Sequence, residues 1–216
     1  MPAVAGVDAY HRGWVAIVTD EGRVVRSLLA PTFRHMRERL GNAVLIGIDI
    51  PIGLPESGTR PADLAARAFV GPRRSSVFAT PTRAAIACPS YREARQVLPS
   101  LSAQSYALRK KILEVEADRD ERVFEIHPEV SFAALAGGHL HHSKRSWNGQ
   151  MERRRLLAGA GLVLPDELDA GAEAGADDVL DATVAAWSAG RKARGEAKTL
   201  PAEALDETES AVAIWY

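Results

Sequence analysis

Cysteine is nearly absent from this chain of 216 residues, where Cys88 stands alone. No intramolecular disulfide can form, and zinc sites built from several cysteines are excluded. With no histidine or other base beside it in sequence, Cys88 reads as a small apolar filler. Long hydrophobic runs are missing as well: no apolar stretch approaches the roughly 18 residues that a membrane span needs. The opening MPAVAGVDAYHRGW lacks the basic start and apolar stretch of a secretory leader. A cytoplasmic location and no membrane partner are therefore expected. There is no internal repeat and no low-complexity tract. An excess of charge of one sign is lacking too, since the net charge is −1 at pH 7, which taken alone gives no reason to expect a polyanionic partner.

Hydrophobic residues at 46% and charged residues at 25% match ordinary globular domains, so the chain is expected to fold around its own core. Its length suits one α/β domain spanning residues 1–216. The distribution of charge says more than its sum. From Arg60 to Lys111 there are ten basic residues and two acids, whereas Leu164 to Trp187 holds seven acids and no lysine or arginine. Such asymmetry suits a polyanion resting on a basic lobe while its scissile phosphate meets acid-bound metal. Two solvated helical faces of opposite sign would produce the same counts.

AVAGVDA, GWVAIVT and RVVRSLL alternate as strands do, and Asp20-Glu21-Gly22 is a hairpin signal, so three antiparallel strands open the chain. Phe33 to Leu40 reads as a short amphipathic helix. Ala43 to Ile50 is apolar on both faces and stops at Pro51, the pattern of a central parallel strand. Residues 51–122 form a long helical insertion carrying the basic charge, with helices over Pro61 to Val70, after Ser90, and from Ser100 or Ser102 to about Ala117. Val123 to Ile126 supplies a fifth strand, followed by helices over Gln150 to Ala160 and Asp177 to Arg191. Leu164 to Gly175 reads as a loose acidic linker. This order matches the ribonuclease H-like fold, a mixed five-stranded sheet flanked by helices.

Four aspartates are the main candidates. Asp8 ends an apolar strand, where burying an unpaired carboxylate costs several kcal/mol. Asp49 repeats the anomaly near the carboxyl end of the central strand, the end at which open α/β sheets collect ligands. If these strands are neighbours, the two carboxylates face each other. Asp178 and Asp181, spaced i and i+3, share one face of the last strong helix and repel unless a cation lies between them. Helix capping by Asp177 with ordinary first-turn acids is the competing reading. In EIHPE, Glu125 and His127 share a strand face, Glu125 as an outer ligand and His127 as a proton carrier or leaving-group contact, with Glu129 as a brace for an arginine. His139 to Lys144 has no metal-ligand spacing. Arg73, Arg74, Ser75 and Ser76 resemble an anion-holding turn. Lys144 and Arg155, with Arg145, Arg153 and Arg154 beside them, read as phosphate contacts or as a solvated helical face.

GVDAYHRGWVAIV, IGIDIPIGLP, RRSSVFATPTRAA, EIHPEVSF and DDVLDATVAAWSA together resemble the family called domain of unknown function 429, predicted ribonuclease H-like nucleases, over nearly the whole chain. The last of these segments is also similar to the final helix of RuvC-type Holliday-junction resolvases, at Asp178, Asp181 and Ala182. The resemblance implies Asp8 as the first-strand ligand and Asp49 as the fourth-strand acid, a place where resolvases more often carry glutamate. It further implies phosphodiester hydrolysis assisted by two Mg²⁺ or Mn²⁺ ions, with nucleic acid as partner. Oligomeric state is left open. Two rival readings share the fold. An actin-like phosphotransferase would bind ATP through a glycine and hydroxyl turn after the first-strand acid, but Ala-Tyr-His-Arg-Gly follows Asp8. A non-catalytic module would use the acids as a structural cation site.

Overall fold

The structure, a computed structural model, describes residues 3–41, 45–202 and 212–216. Three strands come first, β1 (Val4–Tyr10), β2 (Gly13–Asp20) and β3 (Arg23–Ala30), paired antiparallel in sequence order. The β2–β3 hairpin turns on Glu21 and Gly22, both at positive φ, as a two-residue turn that matches strand twist demands. Helix α1 (Phe33–Leu40) has Thr32 as its cap, the hydroxyl accepting from the His35 amide. Strand β4 (Leu45–Ile48) lies parallel to β1, and the start of the strand expected from Ala43 falls outside the described residues. Strand β5 (Val123–Glu125) pairs parallel with β4, which completes a mixed sheet in the order β3-β2-β1-β4-β5.

Between β4 and β5 run α2 (Pro61–Val70), a 3-10 turn (Gly71–Ser76), α3 (Arg83–Ala87), α4 (Tyr91–Val97), α5 (Ala103–Ala107) and α6 (Arg109–Asp118). Ser90 caps α4 as its hydroxyl suggests, and Ser102 caps α5. The single helix expected up to Ala117 is instead two, broken at Leu108. After β5 come α7 (Pro128–Ala136), α8 (Trp147–Gly159), a 3-10 turn (Ala170–Glu173) and α9 (Ala176–Ala193). A small pair, β6 (Thr199–Leu200) with β7 (Ile214–Trp215), closes the described chain. The linker expected over Leu164 to Gly175 contains that 3-10 turn, tied back to β3 by the Gly171 amide on the Ser27 hydroxyl. Among the described residues no helix is long and apolar enough to cross a membrane.

Period two sorts the strands between two cores. Trp14, Ala16 and Val18 face the layer of α1 and α6, where Phe33, Met36, Ile112 and Val115 bury. Val15 and Ile17 face the other layer, against Leu180 and Val184 of α9. Helix α9 rests almost directly on the backbone of β1: a methyl group on Gly6 would stand 2.0 Å from the Ala182 carbonyl oxygen and 2.1 Å from the Ala186 amide nitrogen. Gly6 therefore sets the height at which Asp181, the neighbour of Ala182, meets the sheet. Gly6→Ala is expected to cost about 1–3 kcal/mol or more through overpacking, read as a lower urea midpoint with an unchanged slope.

Candidate metal centre

Parallel strands β1 and β4 end side by side, so residues just beyond their last pairs share one edge of the sheet. Asp8 lies on the same face of β1 as Val4 and Gly6, the face that α9 covers. Asp49 follows β4 directly, its amide bonded to the Val7 carbonyl oxygen at 3.0 Å. Asp181 comes down from the second turn of α9. One carboxylate oxygen from each of Asp8, Asp49 and Asp181 lies within 4.8 Å of the other two. Residues distant along the chain thus meet at the carboxyl edge of the sheet, as the strand context of Asp8 and Asp49 suggested.

Burial is deep here, with Asp8 6% and Asp181 1% exposed. Burial, with Asp49 beside it, holds the Asp8 carboxyl well above the usual range. Burial pushes Asp49 up to about 7, with Glu125 and Asp178 adding to the rise. The same desolvation takes Asp181 to about 7, although Lys144 opposes it. Lys144 donates to Asp181 Oδ2. Burial works against the Lys144 charge, yet Asp181, Asp49 and Asp8 keep it above the usual lysine range. The second oxygen, Asp181 Oδ1, is buried without a hydrogen-bond partner among the described residues. Such an orphaned acceptor is costly unless a cation or proton satisfies it.

Asp178 lies outside this trio but lines the same cavity, half-buried, with burial and Asp177 raising its carboxyl. Asp177 is not the cap, since the N-cap of α9 is Gly175, but Asp177 and Asp178 do lie in its first turn, with the Asp178 carboxylate accepting from the Gly175 backbone. The i, i+3 pair is therefore split by depth, Asp181 inside the cluster and Asp178 on its rim.

Glu125 and Glu129 are each held by an arginine. Arg60, buried before α2, donates to Glu125 Oε2 at 2.7 Å and Oε1 at 2.8 Å, to Asp63 Oδ1 at 2.6 Å and to the Ile52 carbonyl oxygen at 2.7 Å. Glu125 also accepts from the Ile52 amide at 2.7 Å, and Asp63 from the Thr80 amide at 2.8 Å. Glu125 is thus the anchor of a charge network that fixes the loop after Asp49, in place of the outer-ligand role expected from its strand position. Arg60 and Asp63 went unrecognised in the sequence because their partners lie on other elements; only the Arg-Pro-x-Asp helix start marked them. Glu129 braces Arg153, which is fully buried over the Phe132 ring. Arg153 is accordingly a structural cation and not a solvated one.

His127 precedes α7 and lines the same cavity. Burial holds its imidazole below the usual histidine range, and Nδ1 has no partner among the described residues. Arg73, Ser75, Ser76, Lys144 and Arg145 also line this cavity. Arg74 is exposed and outside its lining, while Arg155 lines a separate hollow beside Trp147 and Met151. The structure therefore joins Arg73 and Lys144 to the carboxylates and leaves Arg74 and Arg155 apart.

Taken together, sheet order and carboxylate geometry define an α/β protein with a buried acidic centre at the carboxyl edge of a mixed five-stranded sheet. The model of the family described as Protein of unknown function (DUF429) matches residues 6–206, and the chain belongs to that family. No curated protein and no solved structure compared with the chain matches it.

Proposed function

We propose that this protein is a divalent-metal-dependent phosphodiesterase acting on nucleic acid, with a ribonuclease H-like fold. The strand order β3-β2-β1-β4-β5, three antiparallel strands followed by two parallel ones, supports the fold reading. The observation that carries the function is the trio of carboxylates gathered within 4.8 Å, with one buried oxygen orphaned. Charge counting points the same way. Arg60 offsets Glu125 and Asp63, and Arg153 offsets Glu129, whereas among the described residues the one ion pair made to Asp8, Asp49, Asp178 or Asp181 is that of Lys144 with Asp181. The donors of this trio are all oxygen, which suits hard cations such as Mg²⁺ or Mn²⁺.

Asp8, Asp49 and Asp181 would hold the first ion, and Asp178 the outer edge of a second. The metal supplies an activated water and charge stabilisation at the leaving oxygen. In the overall reaction water adds across a P–O bond, phosphorus keeps the water oxygen, and the leaving sugar oxygen takes a proton. Lys144 steadies Asp181 and balances part of the acid charge. His127, which lines the same cavity with Nδ1 unpartnered among the described residues, would serve as a proton carrier or leaving-group contact.

The test is cleavage of end-labelled RNA and DNA with Mn²⁺ or Mg²⁺, with a chelator and with Asp8→Asn and Asp178→Asn. Cutting should require the metal; Asp8→Asn should lower it at least about a thousandfold and Asp178→Asn at least about tenfold, by the loss of transition-state charge stabilisation. Metal-dependent cutting that survives Asp8→Asn would reject the assignment.

A further inference from the structure

Resting on the phosphodiesterase reading, we infer that the centre accepts one unpaired nucleotide at a time, its phosphodiester at the carboxylates and its base on Phe78, and does not act on a stacked duplex. Two of the carboxylates lie deep, while Asp49 and Asp178 are half-buried. Asp8 and Asp181 are 6% and 1% exposed, at the bottom of a cavity of about 590 Å³ walled on one side by the segment between β4 and β5. Cavities of about 300–1,000 Å³ enclose single small organic ligands. A duplex carries its phosphates on a stiff outer ridge, so a scissile group reaches such a depth only when its nucleotide leaves the stack.

The cations agree. The +8 segment does not present a continuous basic track beside the centre. Arg83 is engaged by Glu56 and Glu116, and Arg67, Arg109 and Lys111 donate to backbone carbonyls. Of that segment only Arg73 and Arg60 line the cavity, and Arg60 is already spent on Glu125 and Asp63. Arg145 remains, with Arg73, whose Nε bonds the Leu140 carbonyl oxygen at 3.3 Å, and Lys144, already paired with Asp181, beside it: enough for one or two phosphates.

Phe78 adds the base-recognising element. It lines the cavity half-buried, belongs to none of the hydrophobic clusters of the described residues and stacks on no aromatic ring among them. An aromatic face left over from core packing, beside carboxylates suited to a phosphodiester, is the arrangement that holds an unstacked base of any sequence.

Three probes separate the possibilities: a dinucleoside monophosphate, a 12-nucleotide single strand labelled at either end, and the blunt duplex of that strand. With Mn²⁺, the duplex should be cut at least about a hundredfold more slowly than the single strand. Cleavage of the dinucleoside alone would identify a small phosphoester as the source of the nucleotide, whereas mononucleotides released stepwise from the strand would identify a strand terminus. Binding gives a readout independent of turnover. In Ca²⁺, a 2-aminopurine dinucleotide should lose fluorescence on stacking, and Phe78→Ala should weaken its binding roughly 5- to 150-fold while Phe78→Trp retains it. The affinity of the 12-nucleotide strand in Ca²⁺ should fall with salt at a log-log slope of about −0.7 for each phosphate contacted, about −1 in all. Equal cutting of duplex and single strand, or unchanged binding in Phe78→Ala, overturns the inference and leaves the phosphodiesterase standing. Absence of metal-dependent cutting and binding with all three probes overturns both.

Discussion

Arg60→Met is expected to be the most damaging single substitution in the chain, exceeding the about 3–5 kcal/mol that breaking one buried ion pair costs. Its side chain is 5% exposed and is bonded at once to Glu125, Asp63 and the Ile52 carbonyl oxygen. Removing it strands two buried carboxylates, one on β5 and one on α2, in surroundings where burial already opposes the Glu125 charge. Urea denaturation should show the loss. Adding Glu125→Gln to Arg60→Met should recover part of it, because one stranded charge then disappears. A fall of less than about 1 kcal/mol would contradict the network. Since Glu125 also holds the Ile52 amide, three residues past Asp49, the variant should weaken Mn²⁺ binding together with stability.

Without divalent metal, the protein should lose stability as pH rises from about 4 to about 7. Asp49 and Asp181 are each pushed from an ordinary 3.8 up to about 7 by burial. Across that window the folded chain keeps protons that the unfolded chain has released, so deprotonation favours unfolding, and the share due to Asp49 and Asp181 levels off above about pH 7. Thermal unfolding in a chelator should therefore show a lower midpoint at pH 8 than at pH 5. Mn²⁺ binds the ionised carboxylates, so its stabilisation should grow over the same interval and restore most of the loss. Asp181→Asn should flatten the pH dependence and abolish the rise with Mn²⁺. A midpoint that climbs with pH in the chelator would show that these acids are ionised and paired in the folded state.

Much of the architecture was legible because its signals are local. Alternation at Val4–Tyr10 and Gly13–Asp20, the Glu21-Gly22 turn, the amphipathic stretch Phe33–Leu40 and the run ending at Pro51 each depend on neighbours within a few residues. The less legible elements had mixed or weak local signals. Helix α7 escapes a sequence reading because Pro128–Ala136 buries Glu129 and Ser131 along with its apolar residues and shows no amphipathic stripe, its helical start marked only by Pro128 in the first turn. The break at Leu108 answers packing of α5 and α6 on different neighbours, with Tyr106 bonding the Cys88 carbonyl oxygen and Ile112 entering the main core. The pair β6–β7 joins residues whose strand partners are non-local, and Ile214 places that end of the chain in a core.

Sequence alone singled out Asp8 and Asp49, because a carboxylate in an apolar strand is anomalous wherever the strand ends up. It also put Asp178 and Asp181 together on one face of the last helix. Which acids share a centre was decided only by the tertiary structure. Gly6 and the alanines of α9 set a helix-to-strand approach that brings Asp181 in and leaves Asp178 on the rim. Two buried arginines neutralise Glu125 and Glu129 and so remove them from the set, while Arg67, Arg83, Arg95 and Arg109 of the long segment bond to carbonyls and acids of their own lobe. Residue type reports that a charge exists; whether it is matched or left to bind something else depends on partners far away along the chain, and those distances are set only when the chain folds.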